Sequence, residues 1–191
     1  MPRRTFIALV PPVEWIEALH SAARSAFDGD RDVRLVRPEN LHLTLVFLGD
    51  LEAEVANGLA EWLAPAIARV RRPLLRVASP GRIERIGRSN ALVATIVDEA
   101  DGALIQLANE VHERLRSASV SLDRAAPLTH PHVTLARLRD RRATKTSTFD
   151  ETRLAPWSAS EVRVVFSELR PEGAIYTDGG RIAIGSPSAG A

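Results

Sequence analysis

Leu41-His42-Leu43-Thr44-Leu45-Val46-Phe47-Leu48-Gly49 is the stretch whose reading decides the fold. The chain says nearly the same thing again at Pro131-His132-Val133-Thr134-Leu135-Ala136-Arg137. Both segments are rich in Val, Leu and Thr and read as strands. Side chains two apart on a strand share a face. His42 and Thr44 therefore stand together, with Leu43, Leu45 and Phe47 expected on the opposite face. His132 and Thr134 stand together against Val133 and Leu135. An imidazole beside a hydroxyl on an apolar strand is an unusual use of a core element, and here it occurs twice.

Working outward, the two histidines lie 90 positions apart in a chain of 191 residues. Each motif also follows a long helical pattern. From Val13 to Phe27 the apolar residues Val13, Ile16, Leu19, Ala23 and Phe27 fall at helical spacing, and a clearer helix over Asp98 to Arg116 carries Leu104, Leu107, Val111 and Leu115. The expectation is an α+β fold of two pseudo-symmetric lobes. Their sheets are mainly antiparallel and flanked by helices, and each lobe gives one His-x-Thr strand to a central cleft. Residues 1–191 are expected to form a single bilobal domain.

The remaining elements follow from local pattern. Arg4 to Val10 reads as a first strand and Val33 to Val36 as a short one. Gly49 is expected to end the first motif strand, with Asp50 as N-cap of a helix towards Val70 that Pro65 kinks or divides. Leu74 to Ala78, Arg82 to Ile86, Ala91 to Val97 and Val162 to Leu169 are extended candidates. Arg139 to Thr148 reads as an exposed loop. Ala174 to Tyr176 and Arg181 to Ile184 read as a hairpin around Asp178-Gly179-Gly180, and Ser186 to Ala191 as a frayed tail.

Composition narrows the function. No apolar run approaches the roughly 18 residues that cross a bilayer, so no membrane association is expected. With no cysteine there is neither a disulfide nor a thiolate nucleophile, and the simplest location is the cytoplasm. Net charge is only +1, so the protein is not a strongly basic polyanion binder. Lys145 is the single lysine among 25 basic residues, a bias better explained by codon usage than by phosphate recognition. No Gly-rich phosphate loop with lysine is present.

Two histidines facing each other across a cleft suit acid–base chemistry, because one ring can begin neutral and the other protonated. In-line displacement at phosphorus needs a base on the attacking oxygen and an acid on the leaving oxygen, and two threonine hydroxyls would hold the non-bridging oxygens. The competing readings are plainer. One His-x-Thr alone is most often structural. His130-Pro131-His132 is a possible metal pair, but no further ligands accompany it in the sequence, so no metal and no cofactor are expected. His20 and His112 sit in helices as surface or packing residues.

With these motifs in view the sequence resembles the 2H (two-histidine) phosphoesterase superfamily, and within it the RNA 2′,3′-cyclic phosphodiesterase, 2′-5′ RNA ligase or LigT-like family. The resemblance is carried by Arg4-Thr5-Phe6-Ile7-Ala8, Pro38-Glu39-Asn40-Leu41-His42-Leu43-Thr44-Leu45 with Phe47-Leu48-Gly49, and His130-Pro131-His132-Val133-Thr134-Leu135-Ala136-Arg137. A weaker match runs through Ser167-Glu168-Leu169, Gly173 and Tyr176. It implies metal-independent opening of RNA 2′,3′-cyclic phosphate ends to 2′-phosphomonoesters, with His42 as proton donor and His132 as base. Thr44 and Thr134 would bind the phosphate. Arg137 would join them only if the strand bulges or ends by Ala136, since strict alternation turns it away. The implied partner is RNA with a cyclic phosphate end, tRNA fragments among the candidates, and a monomer is expected. The alternatives are a phosphodiesterase on small cyclic nucleotides or ADP-ribose cyclic phosphate, and a non-catalytic RNA-end-binding module. Reverse 2′-5′ ligation is chemically allowed. One region departs from the family pattern: Ser79 to Val93 carries no tryptophan, and Arg82, Arg85 and Arg88 are either a solvated face or a nucleic-acid contact.

Overall fold

In a computed structural model, which describes residues 1–87, 89–118, 120, 127–140, 145–171 and 173–185, the chain is an antiparallel α+β fold. Its strands are β1 (Arg3–Leu9), β2 (Val33–Leu35), β3 (Leu43–Leu51), β4 (Leu74–Val77), β5 (Gly81–Arg85), β6 (Ala91–Asp98), β7 (His132–Leu138), β8 (Ser147–Phe149), β9 (Trp157–Ser158), β10 (Glu161–Arg170) and β11 (Gly173–Ala183). The helices are α1 (Val13–Phe27), α2 (Ala53–Ile67) and α3 (Ala103–Ser117). A 3₁₀ turn at Pro38–Asn40 leads into the first motif. Arg88 and the tail from Ser186 lie outside the described residues.

The strand order β11-β10-β1-β3-β7-β6-β4-β9 puts the two motif strands side by side at the centre, with β2 added to β7 and β5 to β6. The halves echo each other. β1 leads through α1 to β3, and β6 leads through α3 to β7; α1 packs on β2 and β7 and α3 packs on β3. β3 and β7 are joined at a single pair, Leu43 opposite Val133, and both of these side chains are fully buried. Their burial turns the flanking His and Thr side chains to the other face, which is the open one.

Each helix is held by an apolar stripe, and in none does the N-cap residue's own side chain cap the helix. α1 buries Trp15, Leu19, Ala23 and Phe27, and α2 buries Ala56, Leu59, Leu63 and Ile67, the three- and four-residue spacing of a core-facing face. Val13, expected on that face, is exposed. Trp15 takes its place because its ring fills the core while its Nε1–H donates to the Ala155 carbonyl at 2.9 Å. Asp98 ends β6 rather than starting α3, and its carboxylate accepts from the backbone N–H groups of Ala100 and Leu104, closing the helix entry.

Further expectations are corrected. Asp50 is no helix cap: β3 runs on to Leu51 and α2 starts at Ala53. Pro65 does not divide α2, because it sits in the last turn, where the helix ends two residues later. The Asp178-Gly179-Gly180 stretch is not a hairpin turn but a bulge inside the continuous β11. The two glycines are there for close approach. A Cβ on Gly179 would lie 2.6 Å from the Phe166 ring, and one on Gly180 would lie 2.5 Å from Ala60 of α2. The end of the expected 139–148 loop pairs as β8 with β5.

Candidate active site

A cleft of about 700 Å³ opens over the junction of β3 and β7. It is lined by His42, Thr44, His132, Thr134 and Arg137, so all five residues expected from sequence line one cavity. The antiparallel register through Leu43 and Val133 extends by one residue each way to set His42 against Thr134 and Thr44 against His132. Each imidazole thus has the other motif's hydroxyl as its cross-strand neighbour, around a local two-fold axis.

Both rings are oriented in the same way. His42 Nδ1 lies 2.7 Å from the Asn40 carbonyl, and His132 Nδ1 lies 2.6 Å from the His130 carbonyl. A carbonyl only accepts, so each Nδ1 carries its hydrogen and donates it, and each Nε2 is left for the cleft. Asn40 is itself tied down, since its Nδ2 donates to the Ala174 carbonyl of β11 at 2.8 Å.

A bulge follows each motif at the same place. Between β1 and β3 the register steps from Ala8–Thr44 to Ile7–Val46, leaving Leu45 without a partner. Between β6 and β7 it steps from Val93–Thr134 to Leu92–Ala136, leaving Leu135 without one. A bulge inserts one residue and reverses the alternation beyond it. Arg137 is thereby brought onto the face of His132 and Thr134, the condition on which its place in the site depends. The same device corrects the placing of Phe47. It shares the cleft face with His42 and Thr44 and does not lie with Leu43 and Leu45.

The surroundings of the two histidines differ. His42 is stacked against Phe6, ring centroids 4.7 Å apart, and meets Tyr176 edge-on at 5.4 Å. This enclosure drives its pKa down from 6.5 to about 4. Loss of water is the largest cause; the Asn40 carbonyl opposes it, and the nearby charges of Arg137 and His132 push the same way as burial. Burial raises the pKa of the Tyr176 phenol against the opposing charges of Arg137 and Arg4, so it remains a hydroxyl donor at the cleft wall. Arg4 stacks over Phe47 at 4.7 Å.

Sequence reasoning does not single out Phe6, Asn40 and Tyr176 as the walls and anchor of His42. Phe6 and Tyr176 come from β1 and β11, so only the folded sheet brings them to His42, whereas Asn40 is its near neighbour in the chain. Arg82 and Arg85 do not line the cleft, although Ile86 and Ser89 beyond them do. The His130 ring bonds with the Thr129 hydroxyl at 3.0 Å. Among the described residues no three His, Asp or Glu side chains converge as a metal site would require. His112 is a buried packing residue of α3, as expected. No helix of the described residues is long and apolar enough to cross a membrane.

Comparison with known proteins points the same way along nearly the whole chain. A sequence profile described as the 2′-5′ RNA ligase superfamily matches residues 10–168. A Thermus thermophilus protein named RNA 2′,3′-cyclic phosphodiesterase is 32% identical over 180 residues, covering 91% of this chain and 86% of that one. One of the same name from Archaeoglobus fulgidus is 28% identical over 160 residues, 78% of this chain and 83% of its own. The crystal structure of Escherichia coli LigT complexed with 3′-AMP superposes with a TM-score of 0.69 at 26% identity, covering 96% of this chain and 99% of that chain.

Proposed function

The chain belongs to the 2′-5′ RNA ligase superfamily, and from that premise we propose that it is a metal-independent hydrolase of RNA 2′,3′-cyclic phosphate ends, yielding 2′-phosphomonoesters. The observation that carries this reading is the pair of inward Nε2 atoms, each set opposite the other motif's threonine. A five-membered cyclic phosphate seated between them presents its attacking and leaving oxygens to opposite rings. His132 takes a proton from water as its oxygen bonds to phosphorus. The P–O3′ bond breaks and the departing 3′-oxygen takes the proton from His42 Nε2. Thr44, Thr134 and Arg137 hold the non-bridging oxygens, where negative charge concentrates.

Burial keeps His42 neutral at pH 7 in the free protein, so its role as proton donor depends on what the substrate brings. An anionic phosphate entering the cleft offsets the Arg137 charge and shifts the His42 pKa upward, towards the imidazolium that proton donation requires. The active unit is one bilobal domain acting as a monomer in the cytoplasm, where RNA ends are its substrate. With a 5′-hydroxyl in place of water as the attacking group, the same steps join it to the cyclic end as a 2′-5′ bond, P–O3′ breaking as before, though abundant water favours hydrolysis.

The test is incubation of an RNA oligonucleotide bearing a 2′,3′-cyclic phosphate with the protein in excess EDTA, followed by identification of the new end. A 2′-phosphate supports the reading. A 3′-phosphate, or turnover only after metal is added, contradicts it. A mononucleotide substrate is the competing reading, favoured by the 3′-AMP complex of the LigT relative, and 2′,3′-cyclic AMP in the same assay gives the comparison.

A further inference from the structure

Arginine is distributed unevenly around the cleft. Five arginines line it, and none of the lining side chains among the described residues is acidic, although the whole chain is nearly neutral. Arg137 belongs to the reacting phosphate. Arg34 and Arg37 belong to a neighbouring segment, β2 and the residues that lead into the 3₁₀ turn.

That segment is held rigidly. Arg34 is the register partner of Arg137, Leu35 that of Ala136, and the Val36 N–H donates to the Leu135 carbonyl at 2.9 Å. Direct antiparallel partners put their side chains on one face, so Arg34 extends the row that begins at Thr134 and continues through Arg137. Thr134 and Arg137 pair with Val93 and Ala91 of β6. They are therefore about 7 Å apart along the strand, and Arg34 lies about 5 Å further across it. This offset is on the scale of one nucleotide repeat.

Arg34 is also fixed from the far side. Its Nη1 donates to the Pro171 carbonyl at 3.3 Å, at the turn between β10 and β11. A Cβ on Gly173 would lie 2.7 Å from its Nη2, so the glycine leaves room for the guanidinium to lie against the turn. The Arg34 side chain also lines the cleft. Arg37 is exposed and makes no ion pair among the described residues.

We propose that Arg34 and Arg37 form a second phosphate site, which binds the phosphodiester on the 5′ side of the terminal nucleotide. The inference rests on the cyclic phosphodiesterase reading and specifies its substrate class: a polynucleotide end, not a free cyclic mononucleotide. The planar Arg fork suits a phosphodiester, and a site built from two such groups is selective for a chain that carries a second phosphate.

The experiment compares wild type with the double variant Arg34→Gln, Arg37→Gln on two substrates, a short RNA ending in a 2′,3′-cyclic phosphate and 2′,3′-cyclic AMP. The expected result is a preference in kcat/KM for the oligonucleotide that falls roughly tenfold, through KM. In parallel, an RNA of the same length with a plain 3′-hydroxyl is titrated by fluorescence anisotropy across a salt series. Its salt slope should flatten by about 0.7 in the variant, because one phosphate of the single strand is no longer neutralised. Equal losses on both substrates, or an unchanged preference and slope, overturn the second site. If wild type turns over neither substrate, the enzymatic reading fails instead. The anisotropy slope then still decides the arginine site, with flattening supporting it and an unchanged slope overturning it.

Discussion

The first and second motif regions are built alike and furnished differently. Each has a histidine whose Nδ1 donates two residues back, a threonine two residues on, and a bulge immediately after. Five residues past each histidine, the bulge delivers a side chain to the cleft. It is Phe47 in one case and Arg137 in the other. The first histidine is walled by Phe6 and Tyr176; among the described residues no aromatic ring packs on the second. Backbone symmetry supplies the opposed geometry that in-line chemistry needs, and the substitutions upon it make the two rings chemically unequal. A perfectly symmetric pair would give both rings the same surroundings.

The largest effects should come from the rings themselves. His42→Ala and His132→Ala are each expected to lose roughly 100-fold or more in kcat, the range of a general acid or base, measured on cyclic-ended RNA. Loss in only one of them would break the comparison. Next comes the unequal pair of bulge residues. Arg137→Ala should raise KM about tenfold, as for removal of a charged hydrogen bond, and should also raise the His42 pKa, since Arg137 contributes to its depression. An NMR titration of the His42 ring checks the second effect, and a fall in that pKa would contradict it. Phe47→Leu, by contrast, should leave the His42 titration in place.

Asn40→Ala sharpens the comparison at the anchor. It keeps the carbonyl that orients His42 but removes the tie to Ala174, so kcat should drop several-fold while KM holds. Asn40→Asp restores an acceptor but not the donor that the Ala174 carbonyl requires, and should not rescue.

Stability gives a readout independent of turnover. The folded pKa of His42 is about 4 and its ordinary value 6.5, so between these the unfolded chain binds the extra proton. Stability from this group is present above pH 6.5 and is lost as pH falls towards 4, by at most on the order of 3 kcal/mol. His42→Gln should therefore show a shallower decline across pH 6.5 to 4 in chemical denaturation. An unchanged slope would mean that the ring is not enclosed as described.

Much of this is legible in the sequence. Two His-x-Thr strands, the helices before them, the α+β class and the convergence on one cleft follow from periodicity and repetition. Arg137 is legible only conditionally, because a bulge depends on the register of two strands and leaves no mark in the alternation of one. Phe47 is misplaced by strict alternation for the same reason. Gly179 and Gly180 suggest a turn because glycine permits both tight turns and close packing, and only the positions of Phe166 and Ala60 distinguish them. Phe6 and Tyr176 look like ordinary strand residues until β1, β3, β10 and β11 are aligned.

The most direct test of the unequal pair replaces the 3′-bridging oxygen of the cyclic phosphate with sulfur. A thiolate leaves without a proton from the enzyme, as a thiol's ordinary pKa of about 8.5 allows, so the acid becomes dispensable and the base does not. The assignment predicts that His42→Ala recovers most of its lost rate on the sulfur substrate while His132→Ala stays impaired. Recovery by His132→Ala instead, or by neither variant, would contradict it.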